Sequence, residues 1–305
     1  MRAGRWVAGA VVVGLVAAGC GSDAGEAGGP GTTAPRCPVE PVEVVVSVGQ
    51  WADLARTLAG ACAEVATIVE GGDVDPHEFE PSPADVVAFD GADLVVRNGL
   101  GYDPWAEDAV DAVDGASVVV VAGDVAGSEE GDDPHIWYDP AAVGAVAAAV
   151  TDELAELAPG ATAYLDERAT EWEATWQGYL DELDAARAVT DGVPYAATET
   201  VFGATAAALG MDDRTPAGYV SASRNESDPA PGDLAAFEQL LRSGEVAVLV
   251  VNTQTEGSVP GQLRSVAEGA GIPVVEVTES VPSGADGFVA WQSAQLRALL
   301  AALGG

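Results

Sequence analysis

"ATAYLDERATEWEATWQGYLDELDAARA", residues 161–188, decides the fold. Leu165, Trp172, Trp176, Tyr179, Leu180 and Leu183 recur in it near helical spacing, with charged residues between them. At about 1.5 Å per residue such a helix reaches roughly 40 Å, the width of a whole domain. A second helical stretch, "AAVGAVAAAVTDELAEL" at residues 141–157, precedes it across a Pro159-Gly160 break. No strand signal falls between about residue 140 and residue 188. An ordinary surface helix is the plain alternative. Because strand and helix alternate on both sides of this stretch, it reads instead as a rigid rod, residues 159–190, joining two lobes.

On the upstream side, residues 42–48 are a β-branched run read as a buried parallel strand, followed by the amphipathic helix "QWADLARTLAG" that Gly60 stops. A strand at 64–69, a helix opened by Ser82 as N-cap with Pro83 as its first residue, and a strand at 93–96 come next. A helix at 103–113 and a strand at 116–121 complete the first lobe's sheet. Downstream of the rod, strands at 195–197, 218–221, 245–252 and 272–277 alternate with helices at 202–209, 233–241, 259–271 and 287–303. The expected architecture is α/β: two lobes, each a mostly parallel sheet flanked by helices, joined by one long rigid helix. The lobes are placed at residues 42–158 and 191–305.

The chain has 305 residues, 49 acidic and 12 basic, for a formal net charge of -37; every basic residue is arginine. Such a surface repels nucleic acid and attracts cations only diffusely, so most of the carboxylates are a solvated face. Arg2 and Arg5, the apolar run "WVAGAVVVGLVAA" and then Gly19-Cys20 read as a signal peptide over residues 1–19, too short to stay as a membrane span. The junction resembles a bacterial lipobox, which makes Cys20 the expected lipid anchor; an ordinary secretory signal with a stray cysteine is the alternative. Residues 20–41 then form a tether poor in apolar residues over most of its length. In an exported, oxidising setting Cys37 and Cys62 are expected to pair, tying the first strand's start to the first helix's end; two unpaired thiols are the alternative.

Only two histidines occur, and both stand in Asp-Pro-His: His77 in "GGDVDPHEFEPSP" and His135 in "GDDPHIWYDP". Each proline stiffens its loop, and each loop follows a strand's C-terminal end, where open α/β sheets bind ligands. The pair reads as two ligands of one metal site. Two imidazoles do not complete such a site, and no suitable thiol remains, so carboxylates must supply the rest. Glu199 in "YAATETVFG" and Glu279 in "PVVEVTESVPSG" both stand directly after second-lobe strands. The plain alternatives are an acid favoured by a helix N-terminus for Glu199 and one more surface acid for Glu279. Asp75 and Asp133 are placed either to orient the imidazoles or to cap backbone; Trp137 and Tyr138 either to shield the site or to fill core.

Three stretches, "VDPHEFEPSPADVVAFDGADLVVRNGLGYDPW", "DPHIWYDP" and "TETVFG", together resemble the solute-binding lipoproteins of zinc and manganese ABC importers (cluster A-I), a likeness running from residue 42 to the C-terminus. The resemblance implies one ligand from each of four loops, two per lobe: His77, His135, Glu199 and Glu279. It places Glu199 where zinc members usually carry histidine and manganese or iron members glutamate, and Glu279 where aspartate is commonest, a departure of one methylene. Acidic "AGSEEGDD" stands in place of the histidine-rich loop of many zinc members. The implied role is a lipid-anchored monomer outside the membrane, with no enzymatic activity, that hands zinc or manganese, with iron also admissible, to an ABC permease and its ATPase. Two rivals remain from the residues alone: a metal-dependent enzyme with a two-histidine carboxylate site, which would lack a histidine base, and an adhesin holding structural metal. Metal identity turns on carboxylate denticity, which the sequence leaves open.

Overall fold

In the computed structural model, which describes residues 36–71, 79–113, 118–225, 227–255 and 257–304, Val42–Val48 (β1) lies at the centre of a four-stranded parallel sheet. Its neighbours are Ala63–Val69 (β2) and Leu94–Arg97 (β3), with Val118–Val121 (β4) beyond β3. The valine runs suit a sheet covered on both faces, where β-branched side chains pack against the pleat. Helices Gly49–Ala59 (α1), Pro83–Val87 (α2) and Pro104–Ala112 (α3) make the crossovers. Ser82 caps α2 as expected: Asp85 N–H donates to its hydroxyl, and Ser82 N–H donates to the Asp85 carboxylate at 2.7 Å. Gly60 ends α1 at φ 53°, where a Cβ would lie 2.3 Å from the Tyr164 hydroxyl. Cys37 and Cys62 form the expected disulfide.

The segment between β4 and His135 begins with the short helix Ala122–Ala126 (α4), closed by left-handed Gly127. Pro140–Leu157 (α5) and Thr162–Thr190 (α6) then follow, and α6 is the long helix read from the sequence. Leu165, Trp172, Trp176, Tyr179, Leu183, Ala186 and Thr190 form its buried face, a step of seven followed by alternating steps of four and three. No helix among the described residues is long and apolar enough to cross a membrane.

Pro194–Ala197 (β5), Asp212–Asp213 (β6), Val248–Asn252 (β7) and Val274–Val277 (β8) form a second parallel sheet in the order β6-β5-β7-β8. Gly203–Ala208 (α7), Ala217–Arg224 (α8), Pro231–Ser243 (α9), Val259–Ala270 (α10) and Phe288–Ala302 (α11) complete this half. One expectation fails here. Residues 218–221 are helical within α8, and the second sheet's edge is the two-residue β6. "GYVS" is too short for its aromatic and β-branched content to separate strand from helix, while Pro216 before it suits a helix start.

β7 shows how the layers divide. Val248 and Val250 face a core shared with α1, α6 and α11, whereas Leu249 and Val251 face a smaller cluster with Phe237 and Leu263. The larger core is continuous from Val44 of β1 through Trp176 of α6 to Trp291 of α11. An aromatic chain threads it: Trp172 stacks on Trp176 at 5.6 Å, Trp176 meets Phe288 at 6.2 Å, and Trp291 meets Tyr138 at 5.7 Å. Phe288 N–H also donates to the Asp53 carboxylate of α1 at 2.6 Å. The two sheets are thus bridged by packed core as well as by α6.

Candidate metal centre

Two strand ends and one loop converge. His135 follows the first sheet, Glu199 follows β5 and Glu279 follows β8, and one donor atom from each lies within 4.8 Å of the others. His135 Nε2 is 3.8 Å from Glu199 Oε1 and 3.9 Å from Glu279 Oε2. His135 and Glu279 are buried, and Glu199 is nearly so. His77 and Asp75 lie outside the described residues. Gly71, shortly before them, packs on the residue after Glu279: at φ 89° its Cβ would fall 2.5 Å from Ser280 Cβ. Gly71→Ala is therefore expected to lower stability by about 1–2 kcal/mol through the left-handed backbone alone, with weaker metal binding added, read by thermal melting and metal titration.

The loop that holds His135 is fixed from below. Asn98, fully buried at the end of β3, donates from Nδ2 to the Pro134 carbonyl at 3.0 Å and accepts from Trp51 Nε1 at 2.9 Å. Both roles weighed for Asp133 occur: its Oδ1 accepts from His135 N–H at 3.1 Å and stands 2.7 Å from His135 Nδ1. With Nδ1 turned to that carboxylate, the ring's other nitrogen, Nε2, faces the two glutamates. Burial works against a charged imidazole, but the Asp133 hydrogen bond and the charges of Glu279, Asp133 and Glu199 outweigh it, so the pKa of His135 is raised above the ordinary 6.5. Trp137 and Tyr138 are core, 1% exposed each. Tyr138 nonetheless ties the loop to the second sheet, its hydroxyl 2.7 Å from the Thr278 carbonyl.

The sequence offered no sign of the groups that hold the glutamates. Asn252, the last residue of β7, donates from Nδ2 to Glu199 Oε2 at 2.6 Å and to Glu279 Oε1 at 2.7 Å. Thr255 donates its hydroxyl to Glu199 Oε2 as well. Tyr102 donates to Glu279 Oε2 at 2.9 Å, and burial beside Glu279 raises the phenol's pKa far above 10.0, keeping it a donor. A left-handed run at Gly99, Leu100 and Gly101 delivers Tyr102, and Asp103 closes that turn by accepting from Asn98 and Gly99 N–H at 2.7 and 2.8 Å. Only "asparagine at a strand end" could have flagged Asn252, a signal far too common to choose by.

Beside the cluster opens a cavity of about 510 Å³, with Asp132, Asp139, Asp213 and Arg224 on its wall together with His135 and Glu199. A nitrogen and two carboxylates facing one point, with an acidic vestibule, suit a divalent cation.

Two parallel-sheet lobes bridged by one long helix, with imidazole and carboxylates of both lobes converging between them, define a two-lobed binding protein. The chain belongs to the family described as zinc-uptake complex component A, periplasmic, whose profile matches residues 44–302. It is 33% identical over 178 residues to the manganese-binding lipoprotein MntA of Halalkalibacterium halodurans, a match covering 57% of this chain and 54% of that protein. It is 30% identical over 149 residues to the zinc-binding protein TroA of Treponema pallidum, covering 47% of each. These matches thus span about half the length of either relative. The solved structure of the T. pallidum periplasmic zinc-binding protein superposes with a TM-score of 0.73 over 87% of this chain and 99% of that one, at 19% identity, a likeness of fold.

Proposed function

We propose that this chain is the extracytoplasmic substrate-binding protein of a metal ABC importer, capturing a divalent transition metal between its lobes and passing it to a permease powered by a partner ATPase. The observation that carries the reading is the convergence of His135, Glu199 and Glu279 from three loops of two lobes within 4.8 Å, in a member of a metal-uptake family. We assign them as ligands with His77 as the fourth, on its matching Asp-Pro-His context and on Gly71 lying against Ser280. Relatives named for zinc and for manganese support either metal as cargo. We further propose that residues 1–19 are a cleaved signal, that Cys20 carries lipid and that residues 20–41 tether lobes 42–158 and 191–305, joined by 159–190, to the outer face of the cell membrane as a monomer. The test is uptake of radiolabelled zinc and manganese by cells with and without the gene: loss of high-affinity accumulation is expected, and unchanged accumulation of both would sink the reading.

Capture needs neutral imidazole, so affinity should be full above the raised pKa of His135 and fall as pH drops through it. The decline should begin at higher pH than for an ordinary histidine. Chelator competition from about pH 8 to about pH 5 reads it, and a flat profile across that range would contradict the assignment of His135.

A further inference from the structure

We propose that Arg224 is the gate of the metal site: its guanidinium, reaching from the second lobe toward Asp133 of the first, closes the way between solvent and the three converging donors. Resting on the metal-binding reading above, this adds the residue that sets how fast the ion enters and leaves.

Arg224 Nη2 stands 3.9 Å from Asp133 Oδ2. Apart from His135 with its two glutamates, this is the one ion pair among the described residues that joins lobe 42–158 to lobe 191–305. Its place matters more than its strength. Next to the cavity of about 510 Å³ lies a second of about 190 Å³, and both have Asp133, His135, Glu199 and Arg224 on their walls. Arg224 thus borders each of the two openings that reach the donors. Among the described residues it is also the only arginine lining either, so it is the one fixed positive charge that an incoming cation meets between the carboxylates.

The two sides of the bridge are held unequally. Of the eight residues of α8, which ends at Arg224, only Tyr219 is buried; its hydroxyl donates to the Thr198 carbonyl at 3.1 Å and its ring meets Phe237 at 4.8 Å. Val220, Ser223 and Arg224 face the larger cavity instead of core. A helix end fastened by one side chain opens at little cost. Asp133, by contrast, is fixed through its other oxygen, which accepts from His135 N–H at 3.1 Å and stands 2.7 Å from His135 Nδ1. The moving part is therefore Arg224, and Asp133 is the post it closes on. More than half of the Arg224 side chain is in solvent, at 55% exposure, and an exposed pair of this kind favours its closed state by about threefold to fivefold. That is enough to slow passage without trapping the ion.

Stopped-flow mixing tests this: zinc-loaded whole chain against a fluorescent chelator gives the release rate, and metal-free chain against zinc gives the uptake rate. Arg224→Met, which keeps the stem and drops the charge, should raise both rates by about threefold to fivefold, and Arg224→Lys should bring both back to within about twofold of the wild type. Unchanged rates in Arg224→Met would place the ion's path elsewhere and overturn the gate. Faster uptake with slower release would make Arg224 only a repelling charge, and faster release with unchanged uptake would make it only a support for Asp133; either result also overturns it. Position 224 is exposed at a helix end, so folded variants are expected, and Arg224→Gln gives the same reading if melting shows Arg224→Met to be unfolded. A wild-type chain that binds no zinc overturns the metal-binding reading itself and the gate with it.

Discussion

Alanine at position 135 is expected to raise the metal dissociation constant by at least about two orders of magnitude. A structural zinc contributes roughly 10–16 kcal/mol in all, so one of four ligands accounts for about 3 kcal/mol, or somewhat more than 100-fold. The effect is expected to exceed that of one bond, because Asp133 orients the His135 ring and its removal leaves Glu199 and Glu279 facing each other without the nearby nitrogen. The metal-depleted protein should show this too. The pKa of His135 is raised in the folded state above 6.5, so its contribution to stability is fully present below 6.5 and is lost as pH rises through the folded value. His135→Ala should therefore destabilise the metal-depleted protein more at about pH 6 than at about pH 9. Calorimetric titration with zinc and melting at both pH values check the two halves. Retained affinity would remove His135 from the site, and equal destabilisation at both pH values would mean that its worth is packing alone.

The readable part of this site was its three converging donor residues, and the unreadable part was what holds them. Scarcity made His135 conspicuous, and Glu199 and Glu279 stood out because each directly follows a second-lobe strand, so both glutamates lie at the C-terminal end of one sheet. Their supports have no such signature: Asn98 and Asn252 are amides at strand ends, and Tyr102 reaches Glu279 across 177 positions of sequence. Such contacts follow from packing, which no local pattern encodes. The same limit explains the one misread strand. β6 is a two-residue edge of aspartates without apolar periodicity, whereas "GYVS" offered β-formers that the preceding Pro216 and tertiary packing turned into α8. α6, by contrast, was legible because its buried stripe repeats over 29 residues, long enough for period to dominate over noise.

Opening the Cys37–Cys62 disulfide, by reduction or as Cys37→Ser with Cys62→Ser, is expected to cost about 3.5 kcal/mol of stability, from the chain entropy released by a loop whose ends are 25 residues apart. For a chain of this size that corresponds to a fall in melting temperature of roughly 7–14 °C. The bond ties the segment before β1 to the turn that feeds β2, and these two strands pair along six registered positions. Much of the first sheet therefore loses its tether in the unfolded state, while Asn98, Asp133 and the glutamate supports are untouched in the folded one. Metal affinity should accordingly change by less than about threefold, because the term acts on the unfolded chain. Saturating metal then offers an internal control. At a hundredfold excess over the dissociation constant it stabilises any folded binder by about 2.7 kcal/mol, so the loaded variant should recover most of its loss. Melting with and without zinc separates the cases. A variant that loses both stability and affinity would show that the disulfide shapes the site, through the β2 strand that leads toward His77, rather than only shortening the unfolded chain.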